Sequence, residues 1–471
     1  MKSIKQVICL SLSVFICLIG CTMAPKYTRP EAPVPAEWPR GAAYGETLSA
    51  ANVPDVTDLK WREFFTDERL RQVIGTALTN NRDLRLVALN VERARALYGI
   101  QRAELMPAVG ATGSGEKQRL PADLSSSGKA TTSERYDVNV GISSWEIDFF
   151  GRIRSLKDRA LEEYLATDQA RRSAQILLVS AVANTYLALA ADREALKLAE
   201  STLKTQEDSY QMIRKRCDVG IASELDLRRA QSQVDAAKTN VARYTQLAAQ
   251  DENALNLLVG SSVLQEFLPA ELGDSGHIGD IFFGLPSELL LRRPDVLAAE
   301  HRLKAANANI GAARAAFFPR ITLTAAFGTA SSNLSGLFES GQGAWGFAPQ
   351  IAIPIFDART WSAYDVTKAD REISVAQYEK AIQTAFREVA DALAVQGTVN
   401  RQITAQQSLV DAAKETYRLA ELRYTKGIDS YLSVLDAQRS LYAAQQGLIV
   451  LRLAGAGNLV TLYAVLGGGQ I

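Results

Sequence analysis

Histidine is almost missing from this chain, and cysteine and methionine are scarce: 2 His, 4 Cys and 4 Met in 471 residues. His277 lies in a Gly-rich connector and His301 in a helical stretch, so the two do not suggest a shared metal site. No Cys/His spacing of metal type occurs, nor any Walker or dinucleotide-binding glycine run. Gly113-Ser114-Gly115 is too short for a nucleophile elbow and sits in a strand-like stretch. So few methionines leave no evident path for a soft metal along a wall. Excess charge is also lacking. Lys+Arg 52 balance Asp+Glu 52, which removes the electrostatic case for a nucleic-acid partner. Past the N-terminus, no apolar run reaches the roughly eighteen unbroken residues of a membrane-spanning helix. Neither enzyme, metal nor cofactor chemistry gains support from what remains.

The one long apolar run is at the start. Met1-Lys2-Ser3-Ile4-Lys5 is cationic, Val7 to Ile19 is almost wholly apolar, and Gly20-Cys21 follows. That order is a secretory signal. Leu18-Ile19-Gly20-Cys21 resembles a bacterial lipobox, in which the cysteine is lipidated (palmitate being one such acyl group) and becomes the mature N-terminus. Thr22, in place of Asp, favours the outer membrane by the same resemblance. A plain signal with a chance cysteine is the blander alternative. One acyl chain anchors weakly, so a second membrane contact is expected. Cys9 and Cys17 leave with the signal, and Cys217 has no intrachain partner.

Pro25, Pro30, Pro33, Pro35 and Pro39 make the next stretch extended, either as a free linker or as a wrap along the surface. Helical patterns then cover Asp67–Leu105, Arg152–Arg216 and Ser223–Leu258, with a break at Gly220. The second would extend on the order of 100 Å if continuous. A Gly/Pro-rich passage follows, and the pattern returns: Leu289–Phe318, Arg359–Tyr424, a break at Gly427, and Leu432–Leu466. Tyr210, Arg216, Gly220, Ile221, Ser223 and Leu225 match Tyr417, Arg423, Gly427, Ile428, Ser430 and Leu432, all at the spacing that separates 220 from 427. Such gapless agreement marks an internal duplication. The resulting division is a signal at 1–20, an extended lipidated tether at 21–65 and a first repeat at 66–260 with its hairpin at 108–149. A connector at 261–285 leads to a second repeat at 286–471, with its hairpin at 320–356.

Apolar residues alternate at Val138/Val140/Ile142, Ile321/Leu323/Ala325/Phe327 and Phe347/Ile351/Ile353/Ile355, and a weaker strand follows Pro107. Period two means strands with one apolar face. The loops between them are expected over Lys117–Arg135 and Thr329–Ala344. Each strand is about ten residues, enough to cross a bilayer at a tilt. Trp145 and Trp345 stand near strand ends, where interfacial aromatics belong. Four strands cannot close a barrel, and an open edge cannot face lipid. Several chains must therefore pool strands, and three would give twelve. A soluble hairpin on a coiled-coil protein is the alternative. Ala-rich helices such as 181–191 permit close lateral packing and suit a tube.

Two motifs carry a specific resemblance. One combines Leu285-Pro286-Ser287, Leu291-Arg292-Arg293-Pro294-Asp295 and Glu300 with Ala305-Ala306-Asn307-Ala308-Asn309-Ile310-Gly311 and Ala313–Pro319. The other is Arg423-Tyr424, Gly427, Ser430-Tyr431-Leu432 and Leu435-Asp436-Ala437-Gln438. With Leu466-Gly467-Gly468-Gly469 they resemble the lipoprotein branch of the TolC-like outer-membrane efflux family, the ducts of RND-type pumps, over nearly the whole mature chain. The resemblance implies a mainly α, internally duplicated homotrimer. Its twelve-stranded outer-membrane β-barrel, four strands per chain, continues as a long periplasmic α-helical barrel. Implied partners are a periplasmic adaptor, an inner-membrane RND-type transporter and outer-membrane lipid, for a passive exit duct that is not an enzyme. The implied periplasmic gate is Asp226, Arg423, Tyr424, Leu432 and Asp436, with Arg423 and Tyr424 reaching Asp226 and Asp436 forming a ring to which Asp429 adds. The implied adaptor-contact tips are Arg216, Gly220, Ile221, Gly427 and Ile428. Cys21 is the implied lipidation site. Type I protein secretion on the same fold and a non-channel periplasmic coiled-coil lipoprotein are the rival functions.

Overall fold

A computed structural model describes residues 22–44, 60–272 and 287–468. The expected signal segment, Cys21, His277, Pro286 and Gly469 lie outside the described residues. The chain divides into two compact units. The first comprises 1–31, 90–168 and 298–378, and the second 32–89, 169–297 and 379–471.

The first repeat runs α1 (Glu68–Asn80), α2 (Arg82–Ala103), β1 (Val109–Leu120), β2 (Thr131–Glu146), α3 (Arg152–Asp218) and α4 (Glu224–Val259). The second runs α5 (Pro294–Ala315), β3 (Arg320–Ser331), β4 (Gly343–Ala352), α6 (Ala358–Thr425) and α7 (Tyr431–Val465). Helix, hairpin and two long helices thus occur twice. Helices α3 and α6 are 67 and 68 residues long.

Four expected boundaries move, each for a local reason. The last strand, expected through Ile355, ends at Ala352, because Pro354 has no amide to give a ladder. The single helix expected over Asp67–Leu105 is two, because Asn81 serves both. Its backbone N–H closes α1 onto Ala77, while its side chain accepts from the Leu84 amide and donates to Leu258 O. The helix expected from Leu289 begins at Pro294, after a 3-10 turn over Ser287–Arg292. Proline suits the first helical position, where no amide donor is needed. The hairpin loops are shorter than expected, because the strands run on to Leu120 and Ser331 and restart at Thr131 and Gly343. Those extensions are polar, and a ladder pairs polar residues as readily as apolar ones: Glu116 faces Arg135, and Lys117 pairs with Glu134.

In the first unit the strands form one antiparallel sheet in the order β1-β2-β3-β4. Its register sorts the side chains. Ala111, Val140, Phe327 and Trp345 share one row, and Val109, Ile142, Ala325 and Phe347 the next. The alternate rows carry Thr112, Asn139, Gly328 and Ala344, or Gly110, Gly141, Ala326 and Gly346. One face is therefore apolar and the other small and polar. Phe327 and Trp345 are 68% and 82% exposed, so that apolar face stands open at their row among the described residues. β1 and β4 each pair on one side only among the described residues.

The proline-rich stretch is an ordered wrap. In the first unit, Asn307 donates to Pro25 O and Arg314 to Met23 O, while Ala24 lies against Gly311. Residues 307, 311 and 314 share one face of α5. Glu300 on the same helix is buried and accepts from Arg29 Nε and a terminal guanidinium nitrogen at 3.2 and 2.7 Å, and from Tyr27 at 3.2 Å. Burial opposes its charge, but the hydrogen bonds from Arg29 and Lys304 win and hold its carboxyl below the usual range. In the second unit Trp38 stacks on Phe386, and Arg401 donates to Ala42 O.

The second unit has an aromatic core. Phe64 stacks on Tyr463 at 4.7 Å, Phe65 packs edge-on, and all three are fully buried. Arg293, 8% exposed, chelates Asp295, reaches Glu388 at 2.8 Å and donates to Val465 O at the end of α7. The Leu-Arg-Arg-Pro-Asp motif thus ties the start of the second repeat to the last helix.

A Cβ at Gly311 would stand 2.6 Å from Ala24 N and Ser155 Oγ. Gly311→Val is therefore expected to lift residues 22–29 off α5, so that trypsin cuts after Lys26 faster than in the parent protein while the helical circular dichroism is retained.

Candidate functional site

The two helix turns expected to form the tips share one backbone geometry. After α3, Gly220 has φ +76°, its N–H bonds Cys217 O, and the Ile221 N–H reaches back to Arg216 O. After α6, Gly427 has φ +72°, its N–H bonds Tyr424 O, and the Ile428 N–H reaches Arg423 O. Both turns are Schellman caps, in which the glycine accepts the left-handed conformation that a side chain resists. Ile221 and Ile428 are 76% and 62% exposed, apolar residues presented outward at each tip.

Beneath the turns, Ile213, Ala230, Tyr431, Val434 and Leu435 form a small core with Tyr210, Tyr417 and Tyr424 packed on it. Burial pushes the Tyr431 hydroxyl up to about 12. Leu432 and Asp436 point away from that core, exposed and one helical turn apart. The Arg216 guanidinium lies over the Tyr424 ring at 5.1 Å, and Tyr424 meets Tyr431 at 5.3 Å. Arg216 and Tyr424, expected in separate roles, are thus in contact.

The expected reach of Arg423 to Asp226 is not made within the chain. Arg423 instead chelates Asp429, with Nε at 2.6 Å and the terminal nitrogen at 3.1 Å. This pair spans the turn itself, a shorter reach than to a neighbouring helix. Hydrogen bonding raises the Arg423 pKa and lowers that of Asp429. Asp226 takes local partners: its amide and carboxylate bond Ser223, the cap of α4, and Arg229 stands at 3.7 Å. Tyr424 meets Arg216 and Tyr431 rather than Asp226. The two repeats diverge here, because the position matching Asp429 in the first is Ala222.

The comparisons with known proteins bear on this geometry. The model of the outer membrane efflux protein family matches residues 73–261 and 285–468. The chain belongs to the outer membrane efflux protein family. Among its relatives, the toluene efflux pump outer membrane protein TtgC of Pseudomonas putida is 50% identical over 469 residues, covering 99% of this chain and 96% of that one. Outer membrane protein OprJ of Pseudomonas aeruginosa is 42% identical, covering 98% and 95%. The open-state MtrE outer membrane channel of Neisseria gonorrhoeae superposes with a TM-score of 0.85 at 38% identity, over 95% of this chain and 98% of that one. A crystal structure of a membrane protein from Pseudomonas aeruginosa gives 0.88 at 40% identity, over 95% and 100%. The efflux protein therefore has the TolC-like channel fold and works in the outer membrane.

Sequence reasoning missed one charged site in the second unit. Asp192 on α3 and Asp251 on α4 are neighbouring carboxyl groups, and Asp251 Oδ2 is buried with no hydrogen-bond partner among the described residues. Burial, then the neighbouring Asp192 charge, raises Asp251 from 3.8 to about 6. Burial also raises Asp192, which Arg243 partly offsets. Only the pairing of the two long helices could have exposed this, since the residues are far apart in the chain.

Two outcomes are expected. Folded Asp251 holds its proton more tightly than the unfolded chain does, so the pair's stabilisation is full below the ordinary carboxylate range and is lost as pH rises through about 6. Asp251→Asn should flatten thermal stability between pH 4 and 7 and raise the melting temperature at pH 7.5. At the tip, Arg423→Ala and Asp429→Ala should each raise closed-state conductance by a similar factor, and the double variant should add little more.

Proposed function

We propose that the protein is the trimeric exit duct of a tripartite pump, passing small organic molecules from the periplasm through the outer membrane. One observation carries this: a four-stranded antiparallel sheet with an apolar face and two one-sided edges. In a bilayer such edges must pair, and the partner that fits β4 of one chain is β1 of another. Three copies supply twelve strands. The helices support the same reading. α3 and α7 each hold a window apolar enough to cross a bilayer, and in α7 less than half of it is buried within the chain. That surface suits packing against neighbouring copies in a helical barrel.

The division at 1–20, 21–65, 66–260, 261–285 and 286–471 serves this scheme as signal, lipidated tether, repeat, connector and repeat, with the last residues of the second stretch, the short helix Trp61–Phe64, packed into the aromatic core. Cys21 carries the lipid anchor. Asp226, Arg423, Tyr424, Leu432 and Asp436 act at the periplasmic gate, with Leu432 and Asp436 on the lumen side. Three copies of Asp436 make a carboxylate ring, which favours cations and repels itself. The Arg423–Asp429 pair keeps Asp429 out of that ring and braces the second tip. Arg216, Gly220, Ile221, Gly427 and Ile428 meet the adaptor, and exposed Ile221 and Ile428 fit an apolar contact. Energy comes from an inner-membrane RND-type transporter, and the duct itself carries out no chemical reaction. Relatives bear the names of toluene, antibiotic and solvent pumps, which supports small organic cargo.

The full-length protein in detergent is expected to have the mass of three chains and to give small, cation-favouring currents in planar bilayers. Asp436→Ala should weaken that cation preference. A monomer that never inserts would remove the pooled barrel.

A further inference from the structure

The first unit contains a recess of about 510 Å³ where the sheet meets the helices. Its apolar wall is Phe149, Phe150, Phe318 and Ile353. Phe150 stacks on Phe318 at 4.9 Å, and Phe149 packs edge-on to Phe150 at 5.2 Å. Phe149, Phe318 and Ile353 are 44%, 40% and 61% exposed, so the wall stands open within the chain.

The charged groups of the recess already have partners. Glu146 accepts from Arg152 at 2.8–2.9 Å and from Arg320 at 2.5 Å. Asp148 accepts from the Ile153 and Arg154 amides and from the Arg154 side chain. A charged ligand would have to break these pairs, whereas an apolar one covers aromatic surface at no such cost.

The described chain begins beside this recess. Thr22 Oγ1 stands 3.5 Å from Ser155 Oγ, which donates to Gly151 O at 2.6 Å, and Gly151 lies between the lining residues Phe150 and Arg152. Met23 O accepts from Arg314, whose neighbours Ala315 and Ala316 also line the recess. The residue before Thr22 is Cys21, so an acyl group on that cysteine is joined to the chain one residue beyond the Thr22–Ser155 contact.

We infer that this recess seats an acyl chain carried by the protein's own Cys21, fastening the anchor to the base of the sheet as well as to the bilayer. The inference rests on the lipid-anchor reading of Cys21. Attachment favours the tethered chain over free phospholipid, because docking of residues 22–29 holds it at high effective concentration.

Photo-crosslinking tests this on the full-length protein. Cells are fed palmitate bearing a diazirine and an alkyne, the protein is irradiated and digested, and joined peptides are identified by mass. The expected product links the N-terminal peptide through lipid to peptides holding 146–152 or 315–321. Asn307→Ala, which loosens the tether, should lower that yield while leaving Cys21 acylated. Mixing isotopically heavy and light chains should give links within one chain. Links only between chains, or labelling of the recess that persists in Cys21→Ser, would assign the recess to a second copy or to phospholipid and overturn the inference. An acylated N-terminal peptide with no link to the recess would overturn it while sparing the anchor. An N-terminal peptide without acyl mass would remove both.

Discussion

Backbone hydrogen bonds that cannot go unmade govern this protein. Inside a bilayer no water substitutes for a missing partner, so a sheet with two one-sided edges forbids a working monomer. The rest follows from that constraint. Four strands per chain set the number of copies, and the number of copies sets a ring of helices. The ring leaves the apolar surface of α7 for neighbours, and the proposed gate puts the row of Leu432 and Asp436 on the lumen side. The alternation of Phe327 and Trp345 with Gly328 and Ala344 divides a lipid face from a water face.

Much of this was legible in sequence, because it rests on period. Alternation over 321–327 and 347–351 located strands, and the matched spacing of Gly220 and Gly427 located both turns. Their shared φ and shared cap geometry show why the glycines recur. The polar ends of the strands were illegible, since Glu116 and Arg135 carry no apolar signal and reveal themselves only when opposed. The split at Asn81 was hidden for a similar reason: one side chain caps a helix while bonding another element.

The two glycine turns were legible in sequence, and the side-chain network around them much less. Leu432 and Asp436 are exposed on the single chain, one turn apart on α7. Arg423 was expected at Asp226 and binds Asp429 across its own turn instead. No period reports such a pairing, and the first repeat, with Ala222 at the matching position, lacks it. Duplication thus preserved the backbone of the two tips while their side chains diverged into a braced tip and one fastened to its neighbour by Arg216 and Tyr424. The family signature has a structural explanation: Glu300, Asn307, Gly311 and Arg314 form the bed of the N-terminal segment, and Arg293 clasps the end of α7.

That bed also bears on biogenesis. Pro25 and Asn307 touch across 282 residues of chain. The segment that emerges first from secretion must wait for a helix that arrives about two-thirds of the way through synthesis. Closing so long a loop is slow compared with forming a local hairpin. The clasp can therefore engage only after most of the polypeptide has been delivered, which makes it a record of completed export: a chain truncated before α5 would keep its leading segment unfastened and open to proteolytic clearance.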